Sequence, residues 1–130
     1  MDLSRLLPLA AVALLASASA AAAQDAAAGE RVFKRCRACH EVGEDARNMV
    51  GPVLNGVVGR PAGSIPDYHY SAANRSSGLV WDEATLTAYL RNPQAKVPGT
   101  KMVFPGLTSD ADIANVIAYL KQFDASGKKR

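Results

Sequence analysis

The run Cys36-Arg37-Ala38-Cys39-His40 constrains this 130-residue chain more than any other. Two thiols three positions apart fall on one side of a helical turn, and the imidazole that follows can swing beneath whatever they hold. C-x-x-C-H is the spacing of haem attachment: both thiols add across the vinyl groups, and the histidine ligates iron from one face. Other readings of the same residues fit less well. A thioredoxin-like dithiol opens a helix in a βαβ setting, whereas here the pair closes a helical pattern with no strand before it. A structural zinc site needs four ligands at recurrent spacings, and beyond the two cysteines only His40 and His69 are on hand. A disulfide leaves His40 and the glycine-rich run after it without a role.

The first residues have the layout of a secretory signal peptide. Met1-Asp2-Leu3-Ser4-Arg5 is a charged start, Leu6 to Ala16 is apolar, and Ala21-Ala22-Ala23 fits a cleavage site. The apolar run is shorter than the roughly 20 residues that span a bilayer. Residues 1–23 are therefore expected to be a cleaved leader, and residues 24–130 to form one domain without stable membrane insertion in the periplasm. Such a domain has a thin core for its surface, and aromatic residues are only 6% of the chain; an apolar cofactor would supply the missing interior. A formal charge of +3 is too small and dispersed for nucleic acid, and the aromatic-basic signatures of such proteins are absent. It suits steering toward acidic protein partners.

Periodicity predicts an all-α domain with three main helices. The first runs from about Ala26 to Cys39, with Asp25 as N-cap and Val32, Phe33 and Cys36 at helical spacing. The second follows Trp81, capped by Asp82, with Leu86, Tyr89 and Leu90 on one face; it stops near Asn92 because Pro93 disfavours helix before it. The third begins at Ser109, which forms a capping box with Asp112, and carries the stripe Ile113, Val116, Ile117, Leu120. Between Cys39 and Trp81 lies a long run rich in glycine and proline without periodicity. A loop of that size is uncommon in a small domain unless it wraps a ligand. The tail, residues 126–130, reads as frayed and solvated.

Three side chains could take the iron's other face: Met49, His69 and Met102. Met102 lies in a loop stiffened by Pro98 and Pro105, far enough along the chain to come round to the opposite side. Met49 follows His40 so closely that reaching the far face would strain the loop. His69, flanked by Tyr68 and Tyr70, also reads as a surface histidine.

Beyond the haem motif, Gly51-Pro52-x-Leu54-x-Gly56-x-x-Gly59-Arg60, Tyr70-Ser71-x-Ala73-Asn74, Trp81, Leu86-x-x-Tyr89-Leu90-x-Asn92-Pro93 and Pro98-Gly99-Thr100-Lys101-Met102 resemble a class I cytochrome c of the mitochondrial type and its bacterial cytochrome c2 relatives. The resemblance covers essentially everything after the leader. It implies a small cytochrome c fold, with short helical turns and Gly/Pro-rich loops wrapped round one haem c, and His40 and Met102 as axial ligands. It implies that the Pro52 carbonyl accepts the other ring N–H of His40, that Arg60, Tyr70 and Trp81 hold a buried propionate, and that Asn74, Tyr89 and Thr100 form a polar network beside Met102. Gly29 and Phe33 with Tyr119 match the crossing of the first and last helices. The segments Arg47-Asn48-Met49 and Ser64-Ile65-Pro66-Asp67 depart from the commonest mitochondrial wording, and lysines are sparser.

The implied function is a soluble, monomeric one-electron carrier and not an enzyme, since two filled axial positions leave no place at iron for a substrate. A cytochrome bc1-type donor and an oxidase or reaction-centre acceptor follow from the resemblance. Lys34, Arg35, Arg37, Arg91, Lys96 and Lys101 would ring the opening through which electrons pass. The alternative is a haem enzyme or gas sensor with a labile sixth ligand, such as a weak peroxidase.

Overall fold

Helix α1 spans Ala26–Phe33 in the computed structural model, which describes Gln24 to Arg130 and, before them, Ala13 alone. The expected leader thus lies outside the described residues. The Asp25 carboxylate accepts from the Ala28 amide at 3.1 Å and caps the helix as expected. The helix ends six residues earlier than its periodicity predicts. From Arg35 to Cys39 the amides of Arg35, Cys36 and Cys39 bond three residues back instead of four, which tightens the chain into successive turns and carries both thiols and His40 out of the helical cylinder.

Two short helices were not legible in the sequence: α2, Ala72–Arg75, capped by Ser71, and α4, Pro93–Lys96. Between them α3 spans Glu83–Arg91 behind the expected Asp82 cap. Asn92 ends α3 and its side chain accepts from the Ala95 amide at 3.2 Å, so one residue closes one helix and opens the next, with Pro93 at the first position where its missing N–H costs nothing. Helix α5 spans Asp110–Lys121 with Ser109 as its cap.

Helices α1 and α5 cross at Gly29, where a β-carbon would overlap the Asn115 carbonyl. Phe33 and Tyr119 stack beside the crossing with ring centroids 5.3 Å apart. The α5 stripe is fully buried: Ile113, Val116 and Ile117 are at most 2% exposed. Helix α3 is tied to α5 by ion pairs of Lys121 with Glu83 at 2.8 Å and of Arg91 with Asp110. The described residues contain no sheet, only isolated bridges pairing Pro61 with Val80 and Phe123 with Lys129. The first of these folds the long middle stretch back on itself, with Trp81 bonding Arg60 and Gly59 through the main chain.

The tail, expected to be frayed, is hydrogen-bonded back onto the domain. The Arg130 amide donates to the Gln122 carbonyl at 2.8 Å, and Asp124 pairs with Lys128 at 2.9 Å. Gly127 is buried against Gly43.

Candidate functional site

A cavity of about 340 Å³ opens between the turn after α1, the loop 50–57, helix α3 and the loop 100–104. Cys36, Cys39, His40, Pro52, Arg60, Tyr70, Asn74, Trp81, Tyr89, Thr100 and Met102 all line it. So do core side chains from the helices, among them Phe33, Leu86 and Leu120. The two other side chains considered for iron do not: His69 is exposed, and Met49, 46% exposed, faces a neighbouring hollow beside Phe33 and Tyr119.

On one wall stand Cys36 and Cys39, both half-buried. Burial pushes the Cys36 thiol above its ordinary pKa, with Arg35 opposing. His40 follows Cys39 directly, its amide donating to the Cys36 carbonyl at 2.9 Å. Its Nδ1 lies 2.7 Å from the Pro52 carbonyl, a bond in which the ring nitrogen donates, leaving Nε2 with its lone pair. Burial also lowers the imidazole's pKa, the Pro52 bond working against this and nearby Arg60 with it, so the ring is neutral and able to ligate. Gly51 lies flush against the imidazole, where a β-carbon would collide with the ring.

On the loop 100–104, the Tyr89 hydroxyl lies 3.3 Å from Thr100 Oγ1 and donates to Met102 Sδ at 3.4 Å. The Met102 amide in turn donates to Thr100 Oγ1 at 3.3 Å. Burial raises the Tyr89 pKa, which keeps its proton on oxygen. Asn74, expected in this network, lines the same cavity, its Oδ1 buried without a protein partner.

The Arg60 guanidinium donates through Nη1 to the carbonyls of Val53 at 3.2 Å and Asn55 at 2.9 Å, while its buried Nε has no partner. The Tyr70 hydroxyl accepts from the Ile65 amide at 3.1 Å, which leaves its proton available. Tyr68, whose position beside His69 gave no sign of a role, donates from its hydroxyl to the Val50 carbonyl at 2.6 Å. The Lys101 ammonium lies 4.6 Å from the Tyr68 ring centroid and bonds the His69 carbonyl. Together they strap the rim.

These walls fit a covalent haem. The cavity of about 340 Å³ is lined mainly by apolar side chains, a surface whose removal from water is favourable. The walls therefore suit a large apolar occupant. Two thiols stand at its edge, a neutral imidazole and a thioether face it, and the donor Arg60 Nε awaits an anionic substituent.

An all-helical domain closed round such a site defines a class, the small haem c electron carriers. A family model described as cytochrome c matches residues 26–124. Cytochrome c2 of Rhodomicrobium vannielii is 60% identical over 108 residues, covering 83% of this chain and 86% of that one. Cytochrome c2 of Blastochloris viridis is 52% identical over 117 residues, 90% of this chain and 92% of that one. The solved structure of cytochrome c2 from Rhodospirillum centenum superposes with a TM-score of 0.74 at 44% identity, covering 77% of this chain and 98% of that one. The chain belongs to the cytochrome c family: it is an electron carrier with the small cytochrome c fold and one covalently bound haem c.

Proposed function

We propose that His40 and Met102 are the two axial ligands of the haem iron, and that the chain is a soluble periplasmic monomer shuttling single electrons between membrane complexes, not an enzyme. One observation carries the ligand assignment. Among the described residues, His40 and Met102 are the only histidine and methionine side chains that line the cavity.

Bound haem supplies a one-electron Fe(III)/Fe(II) couple whose potential His/Met ligation holds relatively high. The chain's residues supply the rigid shell. Pro52 fixes the tautomer and aim of His40, as hydrogen-bonded partners of metal ligands do. Tyr89 and Thr100 hold Met102. Arg60 and Trp81, joined through their main chains, and Tyr70 take the propionate. A shell so braced would hold its geometry between oxidation states of a bound haem, and His40 and Met102, both ligating, would leave a substrate no place at iron.

Arg35 and Lys101 line the cavity mouth, and exposed Lys34 and Lys96 join no ion pair among the described residues. Arg37 and Arg91 are engaged with Glu30 and Asp110. This positive rim supports acidic docking surfaces on the partners: a cytochrome bc1-type donor and an oxidase or reaction-centre acceptor. The leader-like residues 1–23 support export, and no helix among the described residues is long and apolar enough to cross a membrane. The test is a potentiometric titration of the purified holoprotein together with a peroxide assay. A single reversible one-electron wave with negligible peroxide turnover is expected; rapid peroxide turnover by the intact protein would favour the enzyme reading.

A further inference from the structure

The tail that reads as a solvated basic run is folded into a hook behind the haem site. After α5 ends at Lys121, the chain turns back. The Asp124 carboxylate accepts from the Ser126 amide at 2.9 Å, the Ser126 hydroxyl at 2.7 Å and the Lys128 amide at 3.0 Å. The Gly127 amide donates to the Asp124 carbonyl at 3.0 Å. The hook thus has its own internal order, centred on one carboxylate.

Its tip presses on the loop that serves the cavity. Gly127 is buried with φ +84°, and a β-carbon there would overlap the Gly43 carbonyl. Asn55, 7% exposed, holds the same Gly43 through both main-chain groups, donating to its carbonyl at 2.8 Å and accepting from its amide at 2.9 Å. The Gly56 amide donates to the Phe123 carbonyl at 3.2 Å. Loop 51–57 is thereby pinned from behind by Gly43 and the hook. The other side of that loop offers the Pro52 carbonyl to His40 and the Val53 and Asn55 carbonyls to Arg60.

We infer that the hook is a positioning element of the carrier: Asp124 and Gly127, acting through Gly43 and Asn55, hold loop 51–57 so that His40 and Arg60 keep their aim. Such loops are ordinarily the mobile part of a domain, and packed contacts transmit displacement instead of absorbing it. The inference rests on His40 being an iron ligand.

The test uses the holoprotein with the chain ended after Ala125, and with Gly127→Val, which blocks the seat on Gly43. Lys129→Ala serves as a control within the hook. Hydrogen exchange followed by NMR reads the Gly43 amide and the His40 Nδ1 proton. Both variants are expected to exchange the two protons at least tenfold faster and to shift the reduction potential, while Lys129→Ala changes neither. Should Gly127→Val not fold, the shortened chain reads the same contact by deletion. Faster exchange at Gly43 with His40 exchange and potential unmoved would overturn the inference and reduce the hook to a local fastening. Failure of the ligand assignment would show separately, in the spectrum of the unaltered protein.

Discussion

The Tyr89 hydroxyl donates to Met102 Sδ across 3.4 Å, joining helix α3 to the loop that carries the proposed sixth ligand. A donor on the sulfur draws electron density from it and so disfavours the ferric state. Tyr89→Phe keeps the ring that packs on Trp81 at a centroid distance of 4.8 Å but removes the proton. The potential is expected to fall, by up to roughly 40 mV if the bond is worth about 1 kcal/mol. Cyclic voltammetry of the two proteins checks this; an equal or higher potential in the variant would contradict it.

Gly29 is where α1 meets α5 without a side chain between them. Gly29→Ala forces the helices apart against the Asn115 carbonyl, and overpacking of this kind costs about 1–3 kcal/mol. A melting temperature lower by roughly 4–8 °C per kcal/mol is expected for a domain of this size. Because neither Gly29 nor Asn115 lines the cavity, the visible spectrum of the folded variant should be unchanged.

Acid stability depends on two exposed carboxylates. Asp82, bonded by the Thr85 amide and hydroxyl and close to Lys96, titrates below its ordinary value. Asp124 does the same, chiefly through the Ser126 hydroxyl, with Lys128 and Arg130 near it. A depressed folded pKa means the stabilisation is complete above the unfolded value and is lost as pH falls through the folded one. The urea midpoint is thus expected to be insensitive to these groups above about pH 5 and to drop below about pH 4. Asp82→Asn, which still caps a helix, should flatten part of that drop.

Helices α3 and α5 were legible because their caps, Asp82 and Ser109, and their apolar stripes are local signals. The C-x-x-C-H run and the Met102 loop were legible as a pair because their chemistry is specific. What could not be read depends on contacts distant in sequence. The six residues after Phe33 keep a helical pattern, but the turns that deliver Cys36, Cys39 and His40 to the cavity override it. The tail is polar and basic, and nothing in its wording announces that Gly127 docks on Gly43. Tyr68 carries no motif, and its bond to the Val50 carbonyl arises only when two loops meet at the rim. Asn74 matched a pattern, but nothing in the wording tells that its Oδ1 is buried without a protein partner.

If docking runs through the basic rim, as proposed, electron transfer is salt-dependent. Charges at Arg35, Lys101, Lys34 and Lys96 act over about 10 Å at 0.1 M salt. The second-order rate with an acidic redox partner is expected to fall at least tenfold between low and high ionic strength. Lys96→Gln should lower both the rate and its slope; a flat profile would refute steering.

The most direct measurement is the absorption spectrum of the oxidised holoprotein at the weak long-wavelength band that arises from thioether sulfur bound to ferric haem. His40/Met102 ligation requires the band in the unaltered protein and its disappearance in Met102→Ala, with Met49→Ala unchanged. A band that survives Met102→Ala, or is missing from the unaltered protein, would contradict the ligation proposed here.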